Sequence, residues 1–88
     1  MCESLLSPDM VQVDLTHCRI KRIEGFEILE HVEVLGLRNN LIKKIENLER
    51  LTTLRELELY DNQISKIENL DSLVNLEYVK SSFPFTII

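Results

Sequence analysis

The sequence predicts an α/β solenoid of about three stacked coils, with a short parallel sheet on its concave face and 3-10 or irregular turns on its convex face. Three observations carry this. Residues 31–52 and 53–74 share ten identical positions when shifted by 22, and internal repetition outranks every other signal in choosing a fold. Within each copy the apolar spacing changes from two, at Leu57 and Leu59, to three, at Ile64, Ile67 and Leu70. An asparagine, Asn40 or Asn62, stands where one spacing gives way to the other.

Taken in order, residues 1–9 form an N-terminal segment in which Leu5, Leu6 and a Ser7-Pro8-Asp9 turn act as a partial cap. Units follow at 10–30, 31–52 and 53–74, with a partial unit at 75–80. Leu57 and Leu59 alternate because a short strand sends every second side chain inward. Ile64, Ile67 and Leu70 are three apart because the return path is a tight, helix-like turn. A lone coil leaves backbone groups unpaired on two sides, so coils stack at roughly 4.8 Å, the spacing of neighbouring strands. The expected columns are Val13, Leu35, Leu57, Val79; Leu15, Leu37, Leu59; Ile20, Ile42, Ile64; Ile23, Ile45, Ile67; and Phe26, Leu48, Leu70. Asn40 and Asn62 should bond the backbone groups that the bend after each strand leaves unpaired. Arg22, Lys44 and Lys66 form one column and Glu24, Glu46 and Glu68 another, so opposite charges can meet between coils on a solvated convex face. Residues 81–88 are a divergent tail: Ser81 replaces the expected Leu and Pro84 the expected Asn, and the remaining Phe and Ile residues invite pairing with another chain.

Composition narrows the function. A chain of 88 residues holds one small domain. Its net charge is -5, and no run of Lys or Arg suits phosphate binding, so nucleic acid is not an expected partner. No apolar segment is long enough to span a membrane, and the first ten residues lack the basic start of a secretory signal. Cys2 and Cys18 are the only cysteines and no N-x-[ST] site occurs, which argues for a reducing, intracellular setting. Cys18 falls in the column of Asn40 and Asn62 as a buried side chain. Cys2, His17, Cys18 and His31 lack the spacing of a metal site. No cofactor site is expected. Catalysis needs convergent groups in a pocket, whereas this repeat spreads its polar residues along an open face, so no catalytic residue and no small-molecule substrate is assigned.

Each copy fits L-x-x-L-x-L-x-x-N/C-x-L, the leucine-rich-repeat signature, with Leu54, Leu57, Leu59, Asn62 and Ile64 the clearest instance. The phrases RIEGFEIL, LRNNLIKKIENLERL and LRELELYDNQISKIENL make the chain, from about Val13 to Val79, resemble the leucine-rich-repeat regulatory subunit of type-1 protein phosphatase. That resemblance implies a non-enzymatic protein of nucleus and cytoplasm that binds the phosphatase catalytic subunit through its concave face. It also implies an N-terminal fragment or truncated isoform, since family members carry around a dozen repeats and a C-terminal cap. Similar 22-residue repeats in ciliary and dynein-associated proteins leave a scaffold or adaptor of a ciliary or cytoskeletal complex as the alternative.

The strand side chains that do not point inward should line the concave face. They are Gln12, Asp14 and Thr16; Val34, Gly36 and Arg38; Glu56, Glu58 and Tyr60; then Tyr78 and Lys80. From these, with Asp61 beside them, the expected partner-binding set is Asp14, Thr16, Arg38, Glu56, Glu58, Tyr60, Asp61, Tyr78 and Lys80. Tyr60 and Arg38 are residue types that anchor interfaces, and Glu56, Glu58 and Asp61 supply charge that selects a basic partner.

Overall fold

The computed structural model describes residues 6–82. Four three-residue strands, β1 (Gln12–Asp14), β2 (Val34–Gly36), β3 (Glu56–Glu58) and β4 (Tyr78–Lys80), form one parallel sheet in the order β1-β2-β3-β4. Val13 sits beside Leu35, Leu35 beside Leu57, and Leu57 beside Val79, so each step across the sheet advances the chain by the sequence period. The expected first column is therefore the observed register. Among the described residues the single helical element is a 3-10 turn at Phe26–Ile28. The helix-like turn expected across Ile64, Ile67 and Leu70 is not what the structure shows, since residues 63–68 run as irregular chain; the tight turn comes just after, at the same place in every unit. Leu29, Leu51 and Leu73 each donate a backbone hydrogen bond three residues back, to Phe26 (2.9 Å), Leu48 (3.0 Å) and Leu70 (3.0 Å). A single turn of this kind sends both of its apolar residues to the same side.

The inward columns form one core. Leu35, Leu37, Ile42, Ile45, Leu48 and Leu57 are each 0% exposed, which stabilises the fold by roughly 1.5–3 kcal/mol per side chain before chain entropy is set against it. Burial is not uniform along the stack. In the first unit Ile23 and Phe26 are also at 0%, with Leu6 and Met10 packed on the same core, whereas Ile67, Leu70, Leu76 and Val79 at the far end are half-buried. The Ser7-Pro8-Asp9 turn is present, closed by Met10 N–H to the Ser7 carbonyl (3.3 Å) and by the Ser7 hydroxyl donating to Asp9 (2.7 Å). Leu5 and the apolar residues of 83–88 lie outside the described residues. Cys18 is half-buried rather than fully enclosed.

Two ladders of asparagine tie the units together. Asn40, 5% exposed, accepts the N–H groups of Cys18 (3.0 Å) and Ile20 (2.9 Å) on its side-chain oxygen. Its amide nitrogen lies 3.0 Å from each of the Leu15, Leu37 and Arg38 carbonyls. Asn62 repeats the pattern one unit on, accepting from Ile42 N–H (3.0 Å) and donating to the Leu37 carbonyl (2.8 Å). Both bind the unit before their own, as the sequence pattern requires.

The second ladder is not evident from hydropathy. Asn47 and Asn69 sit at φ 62, in the left-handed region, and donate from their side chains to the carbonyls of Ile23 (2.8 Å) and Ile45 (2.6 Å). Gly25 holds the equivalent place in the first unit at φ 79. Asn and Gly are the residues that adopt this conformation at least cost. Asn47→Ala removes both the conformational preference and the bond, and is expected to lower stability by about 1–2 kcal/mol in urea titrations followed by circular dichroism. On the opposite side of the core from the sheet, Arg22 reaches Glu46 in the next unit at 3.7 Å, but Lys66 pairs with Glu68 of its own unit, also at 3.7 Å. With both cations largely exposed, these pairs are worth about 0–1 kcal/mol each.

Candidate protein-binding face

Because Val13, Leu35, Leu57 and Val79 turn inward, their neighbours on each strand turn outward. The register then sets them in rows across the sheet: Gln12, Val34, Glu56, Tyr78, and Asp14, Gly36, Glu58, Lys80. Beyond the strands the chain stays aligned, since His17 N–H donates to the Arg38 carbonyl (3.0 Å) and Asn39 N–H to the Tyr60 carbonyl (2.9 Å). Thr16, Arg38, Tyr60 and Ser82, with Asn39 and Asp61, accordingly line one open depression of ≈ 640 Å³ at the ends of the strands.

The charges on this face are largely paired with one another. Arg38 Nε lies 3.4 Å from Glu58 Oε1, and its guanidinium carbon stands 6.0 Å from the centre of the Tyr60 ring. Lys80 Nζ is 3.2 Å from Glu56 Oε2. Gly36 leaves a gap in the middle row: a Cβ there would lie 3.5 Å from both Asp14 Oδ1 and Glu58 Oε1. Glu56 and Glu58, two residues apart on β3, influence one another through their carboxyl groups. That contact, followed by burial, raises the Glu58 pKa; the same contact, followed by the hydrogen bond from Lys80, lowers that of Glu56. A raised carboxyl pKa contributes stability below its unfolded value that is lost as pH rises through the folded value, while the lowered partner acts in the opposite sense. The pair therefore holds one proton more firmly and one less firmly than two isolated glutamates.

Asp14 is simpler. The Thr16 hydroxyl and then the Thr16 N–H bond its carboxylate and hold its pKa below the ordinary 3.8. Its contribution is present above the unfolded pKa and lost as pH falls through the folded one. Thr16→Val is expected to move the Asp14 pKa upward, toward 3.8, in an NMR titration of the side-chain carboxyl.

All nine expected binding residues fall on or beside this one surface, though not equivalently. Arg38 lies against both Glu58 and Tyr60, Lys80 is joined to Glu56, and Asp14 to Thr16. Asp61 is beyond the strand at φ 57, its N–H donating to the Ser82 hydroxyl (2.8 Å), and Tyr78 is on the last strand, 56% exposed. The sequence reading missed a charge ladder at the other end of the strands. Arg55 lies between Glu33 (4.0 Å) and Glu77 (2.9 Å), and the signal for it is alternation of sign at the repeat spacing.

These features define a small parallel-sheet protein that presents one polar, aromatic-bearing strand face, open along its length. No protein-family model matches the chain. Over 36 residues, 41% of its length, it is 62% identical to Protein phosphatase 1 regulatory subunit 7 of Homo sapiens and of Bos taurus. The identity to the protein of the same name from Danio rerio is 58% over an equally long stretch. The aligned region spans 10% of each of these relatives.

Proposed function

We propose that this chain is a leucine-rich-repeat solenoid of about three repeats and a non-catalytic interaction module, part of a regulatory subunit that binds the catalytic subunit of type-1 protein phosphatase through its concave face. The partial match to phosphatase regulatory subunits carries the reading. The open strand face supports it, with Arg38, Glu58 and Tyr60 gathered where a protein partner would rest. Residues 10–80 form the repeat region in this reading, and nucleus and cytoplasm are its compartments.

Four strands at the usual spacing make a strip only ~15–20 Å wide, a small part of the surface that supplies ~800 Å² per partner in a standard interface, so the chain alone binds weakly. Tyr60→Ala combined with Glu58→Lys removes the aromatic and leaves Arg38 facing a like charge. In a titration against the purified catalytic subunit this double variant is expected to bind about tenfold or more weakly than the unaltered chain. Equal binding of the two chains, or no binding by either, contradicts the assignment.

A further inference from the structure

We propose that the cations on the turns away from the open face, Lys21 beside Lys43 and Arg22 beside Lys44, bind an extended acidic peptide segment of a protein partner. The inference concerns a different surface from the phosphatase reading and does not depend on it.

The backbone sets these side chains together. Ile20 and Ile23 turn into the core, so residues 21 and 22 between them turn out, and Ile42 and Ile45 impose the same on residues 43 and 44. The two segments are pinned side by side at both ends: Leu41 N–H donates to the Ile20 carbonyl (2.8 Å) and the Asn47 side chain to that of Ile23 (2.8 Å). Gln63 N–H and the Asn69 side chain fix the second segment in turn, donating to the carbonyls of Ile42 (2.8 Å) and Ile45 (2.6 Å). Backbones joined in this way lie ~5 Å apart, so like charges are held close on a fixed frame.

Acidic neighbours cancel only part of this charge. Arg22 pairs with Glu46 and Lys66 with Glu68, both at 3.7 Å, while among the described residues Lys21, Lys43 and Lys44 are exposed and join no ion pair. Crowded cations without a counter-charge repel one another, and an anion laid across them relieves that repulsion. Stacking does not cover this surface: a further unit lies beside these turns and lengthens the rows.

The surroundings of the rows select the occupant. Glu24, Glu46 and Glu68 follow them two residues on in each unit, so the cationic strip is narrow and has carboxylates along one margin. A flat anionic lipid surface or a nucleic acid would be pressed against that acidic column, and against a chain of net charge -5. A single extended peptide fits within the strip. Its same-side carboxylates recur at about 6.7 Å, a spacing that flexible lysine side chains on backbones ~5 Å apart can meet. On the other margin Leu41 is exposed two residues before Lys43, an apolar spot for a nonpolar residue of the same segment.

Fluorescence anisotropy of a dye-labelled decaglutamate peptide, titrated with the full 88-residue chain, tests this. The expected result is saturable binding that weakens as salt is raised. Lys43→Glu is expected to weaken it about fivefold or more. Arg50→Glu makes the same change of net charge at an exposed residue outside the rows, and is expected to weaken it less than about twofold. Circular dichroism of each variant establishes that it is folded. Absence of saturable binding, or an equal loss for the two variants, overturns the proposal. So does tighter binding to phosphatidylserine vesicles, or to a ten-nucleotide oligothymidylate, than to the peptide.

Discussion

Asn40→Leu is expected to lower the free energy of unfolding by about 3–5 kcal/mol, because it strips the partners from several buried backbone groups at once. The N–H groups of Cys18 and Ile20 and the carbonyls of Leu15, Leu37 and Arg38 all converge on this one amide, which is 5% exposed. A leucine of similar size fills the space but accepts and donates nothing. The cost is the desolvation of groups left unpaired, at roughly 1–3 kcal/mol each where water cannot reach. Small domains have about 5–15 kcal/mol in total, so this one change takes much of the margin. Asn62→Leu should be milder, since Asn62 is half-buried and its oxygen accepts a single N–H, from Ile42. Urea denaturation of both variants, read by circular dichroism, gives the comparison. A loss below about 1 kcal/mol for Asn40→Leu would contradict a structural role for the ladder.

The second large effect is a gradient along the first core column. Leu35→Ala and Leu57→Ala each remove a side chain that is 0% exposed and held between units on both sides, and are expected to cost about 2–5 kcal/mol. Val79→Ala, half-buried at the end of the sheet, should cost less than about 1.5 kcal/mol. The ordering follows from stacking: a residue in the middle has neighbours above and below, whereas Val79 has β3 on one side. Similar losses at all three positions would mean that the column is not a stack.

The strands and the inward columns were legible because one period governs both. Once Leu35 and Leu57 are aligned, Val13 and Val79 follow, and the register in the sheet follows from them. Asn40 and Asn62 could be read because a polar residue at an inward place needs partners, and the bend supplies unpaired backbone. Asn47 and Asn69 were opaque for the opposite reason. They are exposed, and nothing in hydropathy distinguishes a surface asparagine from one at φ 62 that donates to the unit before it. Gly25 in the same row was the available clue. On the open face, the identities of the outward residues were plain, but their pairing was not. Glu56 and Glu58, expected to attract a basic partner, already engage Lys80 and Arg38 within the chain, which appears only when rows are read across strands rather than along them.

In the proposed binding mode the outward rows of the sheet take up the phosphatase catalytic subunit. Its most direct test is an NMR titration of the isotope-labelled chain with that subunit, following backbone amides residue by residue. Shifts or broadening are expected at Arg38, Glu58, Tyr60 and Asp61, with Lys21, Lys43 and Lys44, away from the open face, unchanged. Perturbation confined to those lysines and their neighbours, with the rows of the open face unmoved, would contradict it.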